Sequence, residues 1–225
     1  AGVVVLLSFL SSAMTQSTQR FLSYHIGRQD FAELQRVFSM CVNVHFVIAG
    51  VVLILAETVG LWFLNTYMSF PAGMLTAANV VYQCSIFTFI IQILTVPYQA
   101  SIISNERMSF YAYFSVIEAI LKLLAAVLLI FISGNKVIFY AIALAGVTLC
   151  IYFSYRIYCR SNFEHCIYHY FFESSLFKKI ISFSGWNMLG GIGNVGASQG
   201  VNIILNIFRG VTLNAAMGVS NQVAG

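Results

Sequence analysis

Charge is what this sequence is short of. Only 8% of its 225 residues are Asp, Glu, Lys or Arg, where a soluble domain carries about 25%. Such a chain cannot coat a water-facing surface. With 60% hydrophobic residues and a mean hydropathy of +0.86, it reads as an integral membrane protein. A basic lead of the signal-peptide kind is also missing, since the first residues already lie in an apolar run. The last residues, "AAMGVSNQVAG", stop in mid-pattern. The sequence is therefore read as a piece of a longer protein.

Cysteine is sparse and scattered. Cys41, Cys84, Cys150, Cys159 and Cys166 are odd in number and set no disulfide framework. Cys159, His165, Cys166 and His169 are ligand types, but their spacing C-x5-H-C-x2-H matches no standard zinc pattern. No metal and no cofactor is expected. Catalytic groups are equally thin. There are four histidines, no acid pair within a span, no nucleophile elbow and no H-E-x-x-H. No catalytic residue is assigned.

What the sequence does have is long apolar runs. A bilayer core of about 30 Å needs about 20 helical residues, and seven runs qualify or begin to. They are Ala1 to Ser23, Val37 to Leu64, Met74 to Ile103, Phe110 to Ile132, Val137 to Tyr155, Ile180 to Phe208, and one starting near Leu213. Helices are required, because lipid leaves an unpaired backbone group without a partner.

The cations alternate between connections. Arg20, Arg28, Arg36, Arg107, Arg156, Arg160, Lys178 and Lys179 fall on one side, Lys136 and Arg209 on the other, and Lys122 within a run. The positive-inside rule makes the richer side cytoplasmic, so the first span runs inward. Residues 159–179 form the longest connection. It is read as an amphipathic cytoplasmic connector between a bundle at 1–158 and a new start at 180–225.

Polar residues inside the runs are the candidates for function. Glu118 and Lys122 lie at i and i+4 on one helix face, either as a structural ion pair or facing a substrate or coupling proton. Glu57 lies near the outer end of the second run. Asn43 and His45 make a polar patch of the kind that bonds to a neighbouring helix. Asn79, Gln83 and Gln92 add amides to the third run, which Pro97 is expected to kink. "GIGNVG", Gly191 to Gly196, has the dinucleotide spacing but lies in a span with no acid after Glu173, so it fails the context that motif needs. Its glycines, with Asn194 and Gln199, suit either close helix packing or a bent helix lining a cavity. In "SAMTQSTQRFLS", Ser12, Gln16, Gln19 and Ser23 fall on one helical face, with Arg20 beside Gln16. That sorting predicts the polar wall of a cavity rather than a helix merely leaving the bilayer.

The runs "VVVLLSFLSSAMTQSTQRFLSYHIGRQD", "LQRVFSMCVNVHF" and "FSGWNMLGGIGNVGASQGVNIILNIFRGVTLNAAMGVSNQVAG" resemble bacterial O-antigen and oligosaccharide flippases. These are polysaccharide-export proteins of the multidrug/oligosaccharidyl-lipid/polysaccharide superfamily, related to the MATE exporters. The resemblance implies an all-α, MATE-like bundle of two lobes around a central cavity in the bacterial inner membrane. This chain would supply helices two to six, the connector, helix seven and the start of helix eight. The implied substrate is a polyprenyl-pyrophosphate-linked oligosaccharide. Implied partners are membrane lipid and, beyond it, a polysaccharide polymerase and glycosyltransferases, with no nucleic acid. Arg20 is the best match to a cavity cation that holds the pyrophosphate, with Lys122 and Arg209 behind it. Gln16, Gln19, Asn194 and Gln199 would face the sugar. Two other readings stand beside it. One is a cation-coupled MATE-type drug or small-molecule exporter, with Glu118 carrying the ion. The other is a membrane polysaccharide polymerase, which the short outward loops disfavour.

Overall fold

The computed structural model describes residues 2–66, 75–132, 134–187, 189–190 and 193. Among them the regular elements are all helical. They are α1 (Gly2–Gly27), α2 (Phe31–Leu55), α3 (Leu61–Thr66), α4 (Leu75–Ser104), α5 (Met108–Leu128), α6 (Lys136–Asn162) and α7 (174–187). A π-helical turn (Ala56–Gly60) joins α2 to α3, and a 3-10 turn (Glu164–Cys166) follows α6. Among the described residues, four stretches are long and apolar enough to cross a membrane: Phe31–Gly60, Leu75–Ser104, Met108–Leu128 and Lys136–Asn162. They correspond to the second to fifth apolar runs. α1 carries the first run and α7 the beginning of the sixth, while the seventh lies outside the described residues.

Local chemistry sets the helix ends. The turns after α1 and α4 share one closure. Gln29 (φ 56°) and Glu106 (φ 58°) take the left-handed conformation. The Asp30 N–H then reaches the His25 carbonyl and the Gln29 N–H the Ile26 carbonyl; Arg107 and Glu106 repeat this on Ile102 and Ile103. Each turn is a Schellman closure that satisfies carbonyls the helix end would leave bare. Asp30 then caps α2 by accepting from the Glu33 N–H at 3.2 Å, which starts the helix six residues before the apolar run. Asn135 caps α6 in the same way, accepting from Ile138 N–H at 3.4 Å.

α4 is the central helix and packs against α6, α1 and α2. Its partners share a core of Leu22, Leu34, Phe38, Met40, Tyr98 and Tyr155, all buried. Pro97 lies within α4 and is buried, and the helix continues through it although the Ile93 carbonyl loses its usual N–H partner. α5 stands outside this core. It leans on α6, and only its Ala125 is buried.

Side-chain bonds tie together the ends that carry most of the arginines. Ser104 Oγ donates to the Gln19 carbonyl (3.2 Å), joining α4 to α1. The Cys159 thiol donates to the Tyr98 carbonyl (3.4 Å), joining α6 to α4. The basic residues that alternate in the sequence therefore share one end of the bundle.

Candidate functional site

Two polar sites are built from the residues singled out in the sequence. The first is a cleft of about 850 Å³ between α1 and α7 at the basic end. α1 presents it because the helix is sorted. Ala13, Met14, Ser17, Thr18 and Leu22 are buried, while Ser12, Gln16, Arg20 and Ser23 are exposed. Ser17 joins α1 directly to α7. The Ser184 hydroxyl donates to the Ser17 hydroxyl at 2.8 Å, a contact only small side chains permit.

One turn from Ser17, the Arg20 guanidinium lies over the Phe183 ring, 4.2 Å from its centre. The Phe21 ring meets Phe183 edge-on at 5.9 Å. The aromatic face takes the place of a counter-ion, and among the described residues no carboxylate pairs with the guanidinium. Lys178 and Lys179 line the same cleft, as do Tyr24, His25 and Trp186. Its carboxylates are engaged locally. Glu33 pairs with Arg36 at 3.4 Å, and Glu173 accepts from the Ser175 hydroxyl at the start of α7. The cleft is an open basic pocket with aromatic walls, a fit for an anionic group.

The second site lies between α4, α5 and α6. The Lys122 ammonium donates to Glu118 at 2.6 Å. Glu118 borders a cavity of about 250 Å³ with Gln92, Thr95, Gln99 and Thr148. Lys122 borders one of about 510 Å³ with Ser85, Thr88, Gln92 and Tyr140. Gln92 faces both, so the pair sits between a polar groove on the Glu118 side and a cavity on the Lys122 side walled largely by Val81, Phe89, Val137 and Leu144. Thr95 and Thr148 donate their hydroxyl protons to the Ile91 and Leu144 carbonyls (2.7 and 2.9 Å), and so present lone pairs to the groove.

The sequence-read residues therefore divide. Arg20 enters the cleft. Gln16 and Gln19 share its helix but do not line the cleft; the first is exposed and the second half-buried. Glu118 and Lys122 meet each other, far along the fold from Arg20. Asn194, Gln199 and Arg209 lie outside the described residues, as does the glycine-rich run from Gly191 apart from Gly193. Glu57 accepts from Gln83 Nε2 at 3.2 Å at the far end of α2. His45 turns to its own helix, donating from Nδ1 to the Cys41 carbonyl at 2.7 Å, rather than to a neighbouring helix.

Asn43 likewise does not bond to a neighbouring helix. It donates to the Phe171 carbonyl (2.7 Å) in the connector. Gln35 donates to the Ile167 carbonyl (3.3 Å), and Ser39 accepts from the His169 N–H (3.2 Å). These three α2 residues recur every fourth position and hold the non-helical stretch 167–171 against the bundle. Their spacing was a visible signal, masked by the apolar residues around them. Lys178 and Lys179 marked topology in the sequence; their place in the cleft follows from α7 folding back on α1. Among the described residues no group of three or more His, Cys, Asp or Glu side chains is placed to hold a metal ion.

Comparisons with protein-family models, curated proteins and solved structures give no match to this chain.

Proposed function

We propose that the chain is part of a flippase that moves a polyprenyl-pyrophosphate-linked oligosaccharide across the bacterial inner membrane for cell-surface polysaccharide assembly. The observation that carries this reading is Arg20, held over Phe183 in an open basic cleft that Lys178 and Lys179 also line. A pyrophosphate cannot cross lipid unaided, because stripping its water without compensation is prohibitive. A guanidinium that is already positioned offers paired donors to phosphate oxygens. In the two-lobe arrangement that the resemblance implies, α1 belongs to the first lobe and α7 opens the second. The cleft then lies on the seam that alternating access opens and closes, and substrate binding shifts the balance between the two states.

The test is Arg20→Ala in the complete protein, with membrane abundance checked by immunoblot. Delivery of lipid-linked glycan to the periplasm is expected to fall at least tenfold and to recover partly with Arg20→Lys. Delivery equal to wild type at equal abundance removes Arg20 from substrate binding.

A second reading, a cation-coupled exporter, draws support from the oxygen-lined groove beside Glu118. The 2.6 Å contact with Lys122 weighs against it, because the carboxylate already has a resident cation. Export that follows an imposed Na⁺ or H⁺ gradient and is lost in Glu118→Gln would favour this reading over the first.

A further inference from the structure

Cys159 and Cys166 are seven residues apart in the chain and meet in the fold. Cys159 sits in the last turn of α6 and Cys166 ends the 3-10 turn; both thiols are free and buried. Two backbone bonds fold the chain back between them: Phe163 N–H to the Cys159 carbonyl (2.9 Å) and Cys166 N–H to the Phe163 carbonyl (3.1 Å). Both side chains belong to one buried cluster with Tyr98, whose carbonyl accepts from the Cys159 thiol. Each thiol acts on the other's ionisation, and the His165 imidazole acts on that of Cys166. His165 is itself fixed by stacking on Phe163 (5.6 Å between ring centres) and by the edge of Phe38 (6.2 Å).

We propose that Cys159 and Cys166 are a modification site: a dithiol that a peroxide closes to an intramolecular disulfide, tying the connector to the end of α6. The Cys166 thiolate attacks the peroxide O–O bond, giving a sulfenic acid and hydroxide, which takes up the thiol's proton as water. The Cys159 sulfur then attacks the sulfenic sulfur and expels a second water. Two thiols lose two electrons and two protons, and one peroxide becomes two waters.

Three features make this pair apt. Burial raises a thiol's pKa, but at Cys166 the neighbouring Cys159 side chain and the His165 imidazole outweigh it, and the net shift is down. A thiolate is the reactive form. The resolving thiol is already in place, so the sulfenic acid has a partner inside the protein. Access comes through the turn. It is a single short 3-10 turn, and Glu164 and Ile167 on its flanks are exposed, so it is the kind of segment that opens locally. Peroxide is close to water in size.

The experiment uses the complete protein in native membranes. Samples are treated with hydrogen peroxide, denatured, alkylated, digested with trypsin and analysed by mass spectrometry. Trypsin cuts after Arg156, Arg160 and Lys178, so the disulfide would join peptide 157–160 to peptide 161–178. That linked species is expected to become the main form of both peptides, to return to the separate peptides with dithiothreitol, and to vanish in Cys159→Ser. Recovery of both peptides alkylated after peroxide overturns the proposal. So does over-oxidation of either cysteine without the link, or linkage of either one to another cysteine.

Discussion

The Arg20 guanidinium rests 4.2 Å from the centre of the Phe183 ring, so a cation on α1 is matched to an aromatic face on α7. The contact holds two elements that are far apart in the chain, and the Ser17–Ser184 hydrogen bond lies one turn away. A cation–π contact of this kind contributes about 0.5–2 kcal/mol. Phe183→Leu and Arg20→Met should therefore couple by about that much in a double-mutant cycle of detergent-solubilised unfolding. Additive effects would show that the guanidinium and the ring do not support one another. Ser17→Leu should act more broadly, since it pushes α7 off α1 and widens the cleft.

The ion pair on α5 predicts an asymmetry. Lys122→Met leaves the Glu118 carboxylate facing a groove inside an apolar bundle without its cation. The loss should be about 1–3 kcal/mol, below the roughly 3–5 of a fully enclosed pair, because both side chains are partly exposed. The double replacement Glu118→Gln with Lys122→Met should recover most of it. Thermal unfolding of the three variants checks the order. A single variant as stable as the double one would show that the carboxylate is solvated by the groove rather than by Lys122.

How far the sequence could be read follows from where the signal lay. Helix placement was legible because lipid permits few alternatives, and runs of apolar residues mark the spans directly. The sorting of α1 was legible in part: Ser12, Gln16, Arg20 and Ser23 are exposed, but Gln19 is half-buried, and of the expected cavity wall Arg20 lines the cleft while Gln16 and Gln19 do not. The partner of Arg20 was not. Phe183 lies in an apolar stretch, and nothing local tells one phenylalanine from the others. Glu118 and Lys122 were legible as a pair by their spacing, but the groove they face is made by Gln92, Gln99 and Thr148 on two other helices. The connector's course was hidden for a different reason. Most of its hydrogen bonds to α2 use backbone groups, which carry no sequence signature; the Tyr168 hydroxyl, donating to Asn43 Oδ1 at 2.8 Å, is a side-chain contact, and on the α2 side Gln35, Ser39 and Asn43 leave a trace.

The two left-handed turns predict a gain in stability. Gln29 (φ 56°) and Glu106 (φ 58°) sit where a side chain costs about 1–2 kcal/mol that glycine avoids. Glycine's greater freedom in the unfolded chain offsets part of this. Gln29→Gly and Glu106→Gly should each stabilise by about 0.5–1 kcal/mol, and their effects should add because each turn closes on its own backbone hydrogen bonds. A melting temperature that falls in either variant would mean that the side chain makes a contact worth more than the strain.

Gly60 and Tyr82 predict non-additivity. The Tyr82 hydroxyl donates to the Ala56 carbonyl at 2.9 Å, within the π-helical turn. A Cβ on Gly60 would land on that hydroxyl, so alanine there forces the ring to swing and break the bond. Gly60→Ala should therefore cost about 1–3 kcal/mol, for the steric push and for a carbonyl left bare. Tyr82→Phe removes the hydroxyl and should cost about 1 kcal/mol by itself. With the hydroxyl already gone, adding Gly60→Ala to Tyr82→Phe should cost clearly less than it does in the wild type. A full, undiminished cost of Gly60→Ala in the Tyr82→Phe background would locate the clash elsewhere in the turn, at backbone that no side-chain change relieves.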